Sequence, residues 1–220
     1  GLGDVYKRQL HSYPEVSGQE KSTAERLRRF IAGFKPDEII SGIGGYGIAF
    51  VFKGTEPGHS LLFRADLDAL PISEISELEY RSVYSGRAHL CGHDGHMAIL
   101  AGLAGVLHNN RPLKGEVTLL FQPSEETGEG AARVLNDKKF REKIKPDYVF
   151  ALHNLPGFPA KSIIINENIF SSASVGLTVC LHGKSSHAAE PAKGNSPVKA
   201  LSQIIEAVHD TQAKKELYED

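Results

Sequence analysis

The chain has 220 residues, 40% of them hydrophobic and 24% charged, and a formal net charge of -2. That length holds one large domain, or one domain and part of a second, and the composition allows a substantial buried core. The charge balance lacks the basic footprint of a nucleic-acid partner, the two cysteines make no disulfide framework, and no stretch is long and apolar enough to cross a membrane. No secretory leader opens the chain, so the expected location is cytoplasmic, with neither nucleic acid nor membrane as partner.

Residues Gly1 to Gln9 show no periodic pattern and are expected to be a tag or scar outside the fold. Lys21 to Phe34 is predicted as an amphipathic helix, with Ala24, Leu27, Phe30 and Ile31 at helical spacing and Lys35-Pro36 as its stop. Ile39–Ile40, Gly47–Phe52 and Leu61–Phe63 are predicted strands. His96–His108 is rich in small and apolar residues and reads as a buried helix. Glu116–Phe121 reads as a strand, Gly130–Asn136 as a short helix, and Asp147–Leu152 and Lys161–Ile165 as further strands.

Strands alternating with helices predict an α/β fold with a mixed, largely parallel sheet flanked by helices, in which chemistry gathers at strand ends. The pattern changes near Phe170. Ala173–Leu181 alternates like a strand, and Ser196–His209 reads as a helix with Pro197 near its first turn. The expected division is therefore a first domain over residues 10–168 and the incomplete start of an α+β domain over residues 169–220.

Five segments carry candidate chemistry. His89-Leu90-Cys91-Gly92-His93-Asp94-Gly95-His96 packs thiol, imidazole and carboxylate into one glycine-hinged loop. Such donors suit zinc and its neighbours. The plainer alternative is a polar loop capping the next helix through Asp94. A closed structural zinc site would need a second ligand pair, and Cys180 has no companion. Phe121-Gln122-Pro123-Ser124-Glu125-Glu126 places two adjacent carboxylates at a strand end. In extended backbone they point to opposite sides, so one can bind metal while the other handles a proton; the alternative is a solvated acidic loop. His153 ends another strand and, taken alone, reads more often as a packed or hydrogen-bonded histidine than as a ligand. Arg64-Ala65-Asp66-Leu67-Asp68-Ala69-Leu70-Pro71 offers carboxylates that could orient metal ligands or simply stabilise a turn. Gly183-Lys184-Ser185-Ser186-His187 places a histidine after the strand expected in the second domain.

Together with His11-Ser12-Tyr13-Pro14-Glu15, these segments resemble, in order, the metal-dependent amidohydrolases that include aminoacylases, hippurate hydrolases and auxin-conjugate hydrolases. Carboxypeptidase G-type and succinyl-diaminopimelate desuccinylase-type enzymes are wider relatives. The resemblance implies a zinc-peptidase-like catalytic domain followed by a lid or dimerisation domain, and two divalent ions, zinc or manganese, with cobalt and nickel as further candidates. It implies Cys91, His93, Glu126 and His153 as metal ligands, Glu125 as general acid/base and Asp68 as their support. It further implies His187 as a lid histidine that stabilises the oxyanion, and a homodimer or homo-oligomer. The implied reaction is hydrolysis of the amide bond of N-acyl amino acids.

Two departures stand out. Ala192 follows Pro191 where the family usually has His, and the family's last metal ligand lies far downstream of residue 220. The expectation is therefore a fragment with impaired activity. A dipeptidase or aminopeptidase of the same superfamily is the alternative substrate reading, and a non-catalytic metal-binding or dimerising remnant is the alternative in kind. A serine hydrolase is disfavoured, since no Gly-x-Ser-x-Gly elbow occurs.

Overall fold

The computed structural model describes residues 2–170 and 176–213. The chain divides into two compact units, Gly1–Pro159 and Ala160–Asp220.

The first unit opens with helix α1, Leu2–Ser12. Tyr6 and Leu10, four residues apart on one face, are buried in the main core, and the Tyr6 ring stacks on Phe30 with centroids 3.9 Å apart. This corrects the expectation that residues 1–9 stand outside the fold. Two apolar anchors in so short and polar a stretch fall below what periodicity detects. Helix α2, Lys21–Ala32, buries Leu27 and Ile31 while its arginines face outward, and ends at Gly33.

Strands β1, Glu38–Ile43, and β2, Gly47–Lys53, form a hairpin closed by Gly44 and Gly45, both at positive φ. β2 is buried along nearly its whole length because it has a core on each face. Strand β3, Glu56–Asp66, leads through a long irregular segment to helix α3, His93–Asn109, and then to strand β4, Lys114–Gln122. Helices α4, Gly130–Asn136, and α5, Lys138–Lys143, precede strand β5, Tyr148–Ala151. Sequence reasoning missed α5 because Phe140 is its only apolar residue; Asp137 starts it by accepting the Lys139 N–H.

The sheet runs β1-β2-β4-β3-β5. It is mixed, as expected, and its parallel pairings are confined to β4-β3-β5, while β1-β2 and β2-β4 are antiparallel. α1, α2 and α3 cover one face over Phe50, Phe52, Leu67 and Met97. The other face buries Ile40, Ala49, Val51 and Leu120 with Val134 and Ile144. Each large side chain so buried contributes roughly 1.5–3 kcal/mol. Register places Asp66 opposite Gln122 and Arg64 opposite Ala151, so β3, β4 and β5 end at one edge.

In the second unit, Lys184 and Asn195 form a bridge, Pro191–Lys193 is a short 3-10 turn, and helix α6 spans Val198–Ala213. The unit boundary falls after Pro159, earlier than the expected residue 168. The expected strand Lys161–Ile165 is an exposed irregular segment and forms no strand. Of the expected strand Ala173–Leu181, residues 173–175 lie outside the described residues and 176–181 form no strand. Among the described residues no helix is long and apolar enough to cross a membrane.

Candidate metal centre

The three parallel strands deliver their C-terminal loops to one place, the usual position of a site in an open α/β sheet. Beyond β3, Asp68 is fully buried. Its Oδ2 accepts from Ser17 Oγ at 2.7 Å and from the Glu126 N–H at 3.0 Å, and its backbone carbonyl accepts from His93 Nδ1 at 2.8 Å. Burial alone would raise the Asp68 pKa, but His93, whose Nδ1 also lies 3.6 Å from the carboxylate Oδ1, then the Ser17 hydroxyl and the Glu126 and Glu125 N–H groups hold it down at about 2. Asp68 therefore fixes one imidazole and one glutamate backbone.

His93 is the first residue of α3, and Gly92 before it adopts φ 94°. With Nδ1 engaged, its Nε2 faces Glu125 Oε2 at 3.7 Å and Glu126 Oε1 at 3.8 Å. His93 Nε2 and Glu126 Oε1 are both buried with no hydrogen-bond partner. On the other side, Cys91 Sγ lies 3.4 Å from His153 Nε2, while His153 Nδ1 donates to the Asn154 carbonyl at 2.8 Å. The donor atoms fall into two sets, Cys91-His93-His153 and His93-Glu125-Glu126, each within 4.8 Å and sharing His93. Atoms each ~2.0–2.3 Å from one ion are spaced in this way.

The electrostatics point the same way. Burial, then the Glu126 and Glu125 carboxylates, push the Cys91 thiol up to about 12. Burial works to lower the His93 pKa, but the Asp68 hydrogen bond and the Asp66 charge outweigh it and raise it to about 9. Burial lifts Asp66 to about 6, with Arg64 opposing. Surplus negative charge disfavours further anions and favours a cation; a cation there would bring Cys91 to thiolate and His93 to its neutral, ligating form. The donor set thus fits divalent metal.

His96 and Asp94 hold the loop. His96 Nε2 accepts the Asn154 N–H at 3.0 Å, which ties the residue after His153 to α3. Asp94 is buried, with His11 Nδ1 at 2.9 Å and Lys7 Nζ at 3.1 Å. His11, Ser17 and Asn154 were assigned no supporting role from sequence, although His11 and Asn154 stood in segments that carried a signal. Asp66 entered from sequence only as one of two carboxylates that could orient metal ligands or stabilise a turn. His187 lies in the second unit on an exposed turn, where its Nδ1 accepts the Ala189 N–H at 3.2 Å.

The sequence profile of peptidase family M20/M25/M40 matches residues 62–218. The chain belongs to that family. It is 34% identical over 207 residues to an N-acetyldiaminopimelate deacetylase of Lactobacillus helveticus (strain DPC 4571), covering 90% of this chain and 52% of that protein. It is 37% identical over 203 residues to an N-acetyl-L-cysteine deacetylase of Bacillus subtilis (strain 168), covering 92% of this chain and 48% of that protein. Among solved structures, the YXEP protein of Bacillus subtilis, described as a dinuclear metal binding peptidase from the M20 family, matches with a TM-score of 0.67 and 36% identity. That match covers 72% of this chain and 44% of the other. The chain spans about half the length of the curated relatives it matches.

Proposed function

We propose that this chain carries most of a two-metal centre that hydrolyses the amide bond of N-acyl amino acids. The observation that carries the reading is the convergence of Cys91, His153, Glu125 and Glu126 on the buried, unpartnered Nε2 of His93. Cys91, His93, Glu126 and His153 would hold the divalent ions, zinc or manganese in the first instance. Bound divalent ions supply Lewis acidity and lower the pKa of water. Glu125 stands 3.7 Å from His93 and is partly open to solvent. It takes a proton from the attacking water and returns it to the leaving amine. The amide substrate class is supported by relatives whose names denote removal of an acetyl group from an amino acid.

The reading assigns oxyanion stabilisation to His187 and a homodimer or homo-oligomer as the working form; family resemblance supports these assignments. The experiment is Glu125→Gln in a chain extended to the length of its relatives. Bound metal is retained and most turnover is lost; near wild-type turnover would remove Glu125 as the base. A panel of N-acetyl, N-benzoyl and indole-acyl amino acids against dipeptides separates the amidohydrolase from the dipeptidase or aminopeptidase reading. A correctly metallated, extended chain that turns over none of them is a non-catalytic binding module.

A further inference from the structure

Glu20 is fully buried at the start of α2 and contributes no atom to the metal centre. Its Oε1 accepts three hydrogen bonds: from the Gly18 N–H at 2.9 Å, the Ser124 N–H at 2.8 Å and the Ser124 hydroxyl at 3.2 Å. Its Oε2 is buried without a partner. Burying a carboxyl group so incompletely paired is costly, and the three donors gathered on Oε1 offset part of that cost.

These bonds hold an unusual backbone. Ser124 is buried and has φ 54°, in the left-handed region that side chains with a Cβ disfavour. Such a conformation persists only when its surroundings over-determine it. Here Glu20 grips Ser124 from the amide and hydroxyl side, while the Ser124 carbonyl accepts the Gly130 N–H at 3.0 Å. The turn closes so tightly that a Cβ at Gly130 would lie 1.8 Å from the Pro123 carbonyl oxygen.

Directly after Ser124 come Glu125 and Glu126. The Glu126 N–H reaches Asp68 at 3.0 Å, and both carboxylates approach His93. If φ at Ser124 relaxed to the ordinary right-handed or extended range, the chain would leave β4 in another direction and both carboxylates would swing away from His93. We propose that Glu20 is a positioning residue that holds Ser124 left-handed and thereby aims Glu125 and Glu126 at the metal centre. This rests on the reading of that centre as a metal site.

The test measures zinc affinity and thermal stability of the 220-residue chain by calorimetric titration and metal-free melting. Glu20→Ala weakens zinc binding on the order of tenfold. Ser124→Gly in the Glu20→Ala background recovers most of that loss, because glycine adopts this φ without an anchor. A residue that merely stabilises the fold would lower the melting temperature, leave the affinity of the folded protein unchanged and show no recovery. Wild-type affinity in folded Glu20→Ala, or a double variant no tighter than Glu20→Ala, overturns the proposal. Should Glu20→Ala not fold, Glu20→Asp, whose shorter side chain withdraws the acceptor, is compared with and without Ser124→Gly under the same two criteria. A wild-type chain that binds no zinc overturns the metal reading itself, and with it this inference; wild-type binding that Glu20 does not influence overturns the inference alone.

Discussion

His93 donates its Nδ1–H to the backbone carbonyl of Asp68 at 2.8 Å, and this one bond decides which imidazole nitrogen faces Glu125 and Glu126. The Asp68 carboxylate extends the same control to the Glu126 backbone. Asp68→Ala therefore weakens zinc binding by about 10–100-fold, the usual penalty for losing an outer partner of metal ligands. Calorimetric titration of the folded variant checks this, and an unchanged Kd would show that the backbone carbonyl suffices.

Gly92 has φ 94°, and a Cβ built there lies 2.3 Å from Asn154 Oδ1. Gly92→Ala must therefore displace the Asn154 side chain from its contact with His96 or move the loop that carries Cys91. Both the melting temperature and zinc affinity are expected to fall, with a stability loss of at least ~1 kcal/mol from the backbone alone. Retention of both would mean that Asn154 gives way freely.

The two ring nitrogens of His11 face Asp94 Oδ2 at 2.9 Å and Glu74 Oε1 at 3.1 Å. The Asp94 hydrogen bond raises the His11 pKa against the opposing effect of burial, with Glu74 adding to the rise. A folded pKa above the unfolded value gives stability that is fully present below about pH 6.5 and is lost as pH rises through the folded pKa. The difference in melting temperature between wild type and His11→Asn should therefore be largest near pH 5.5 and shrink towards pH 8.5. A difference independent of pH would mean that His11 is not an imidazolium bridge.

Tyr6 stacks on Phe30 and is buried. Tyr6→Ala is expected to destabilise the first unit by about 3 kcal/mol, the low end for removing a buried aromatic side chain. Chemical denaturation measures it, and a change below about 0.5 kcal/mol would place α1 outside the cooperative fold.

Much of the first unit was legible because its signals are local. Leu27 and Ile31 at helical spacing, and the apolar run of β2, reported α2 and the sheet directly. α1 was not legible, since its evidence is a pair of long-range contacts: Tyr6 with Phe30, and His11 with Asp94. The strand expected at Lys161–Ile165 shows the converse. Its residues have the propensity, but a strand exists only where another strand accepts its hydrogen bonds.

At the centre, sequence by itself determined the chemistry: thiol, imidazole and adjacent carboxylates at strand ends, in an order that resembles one hydrolase family. Residue type and the distance between motifs along the chain carry that much. Only the tertiary structure decided which atoms face one another. Parallel register brings the ends of β3, β4 and β5 together, Asp68 selects the nitrogen of His93 that stays free, and Glu20, 104 residues away in sequence from Ser124, turns the backbone just ahead of the two glutamates. Hydrogen-bond partners are chosen by proximity in the folded chain, and no local pattern of residues encodes that proximity.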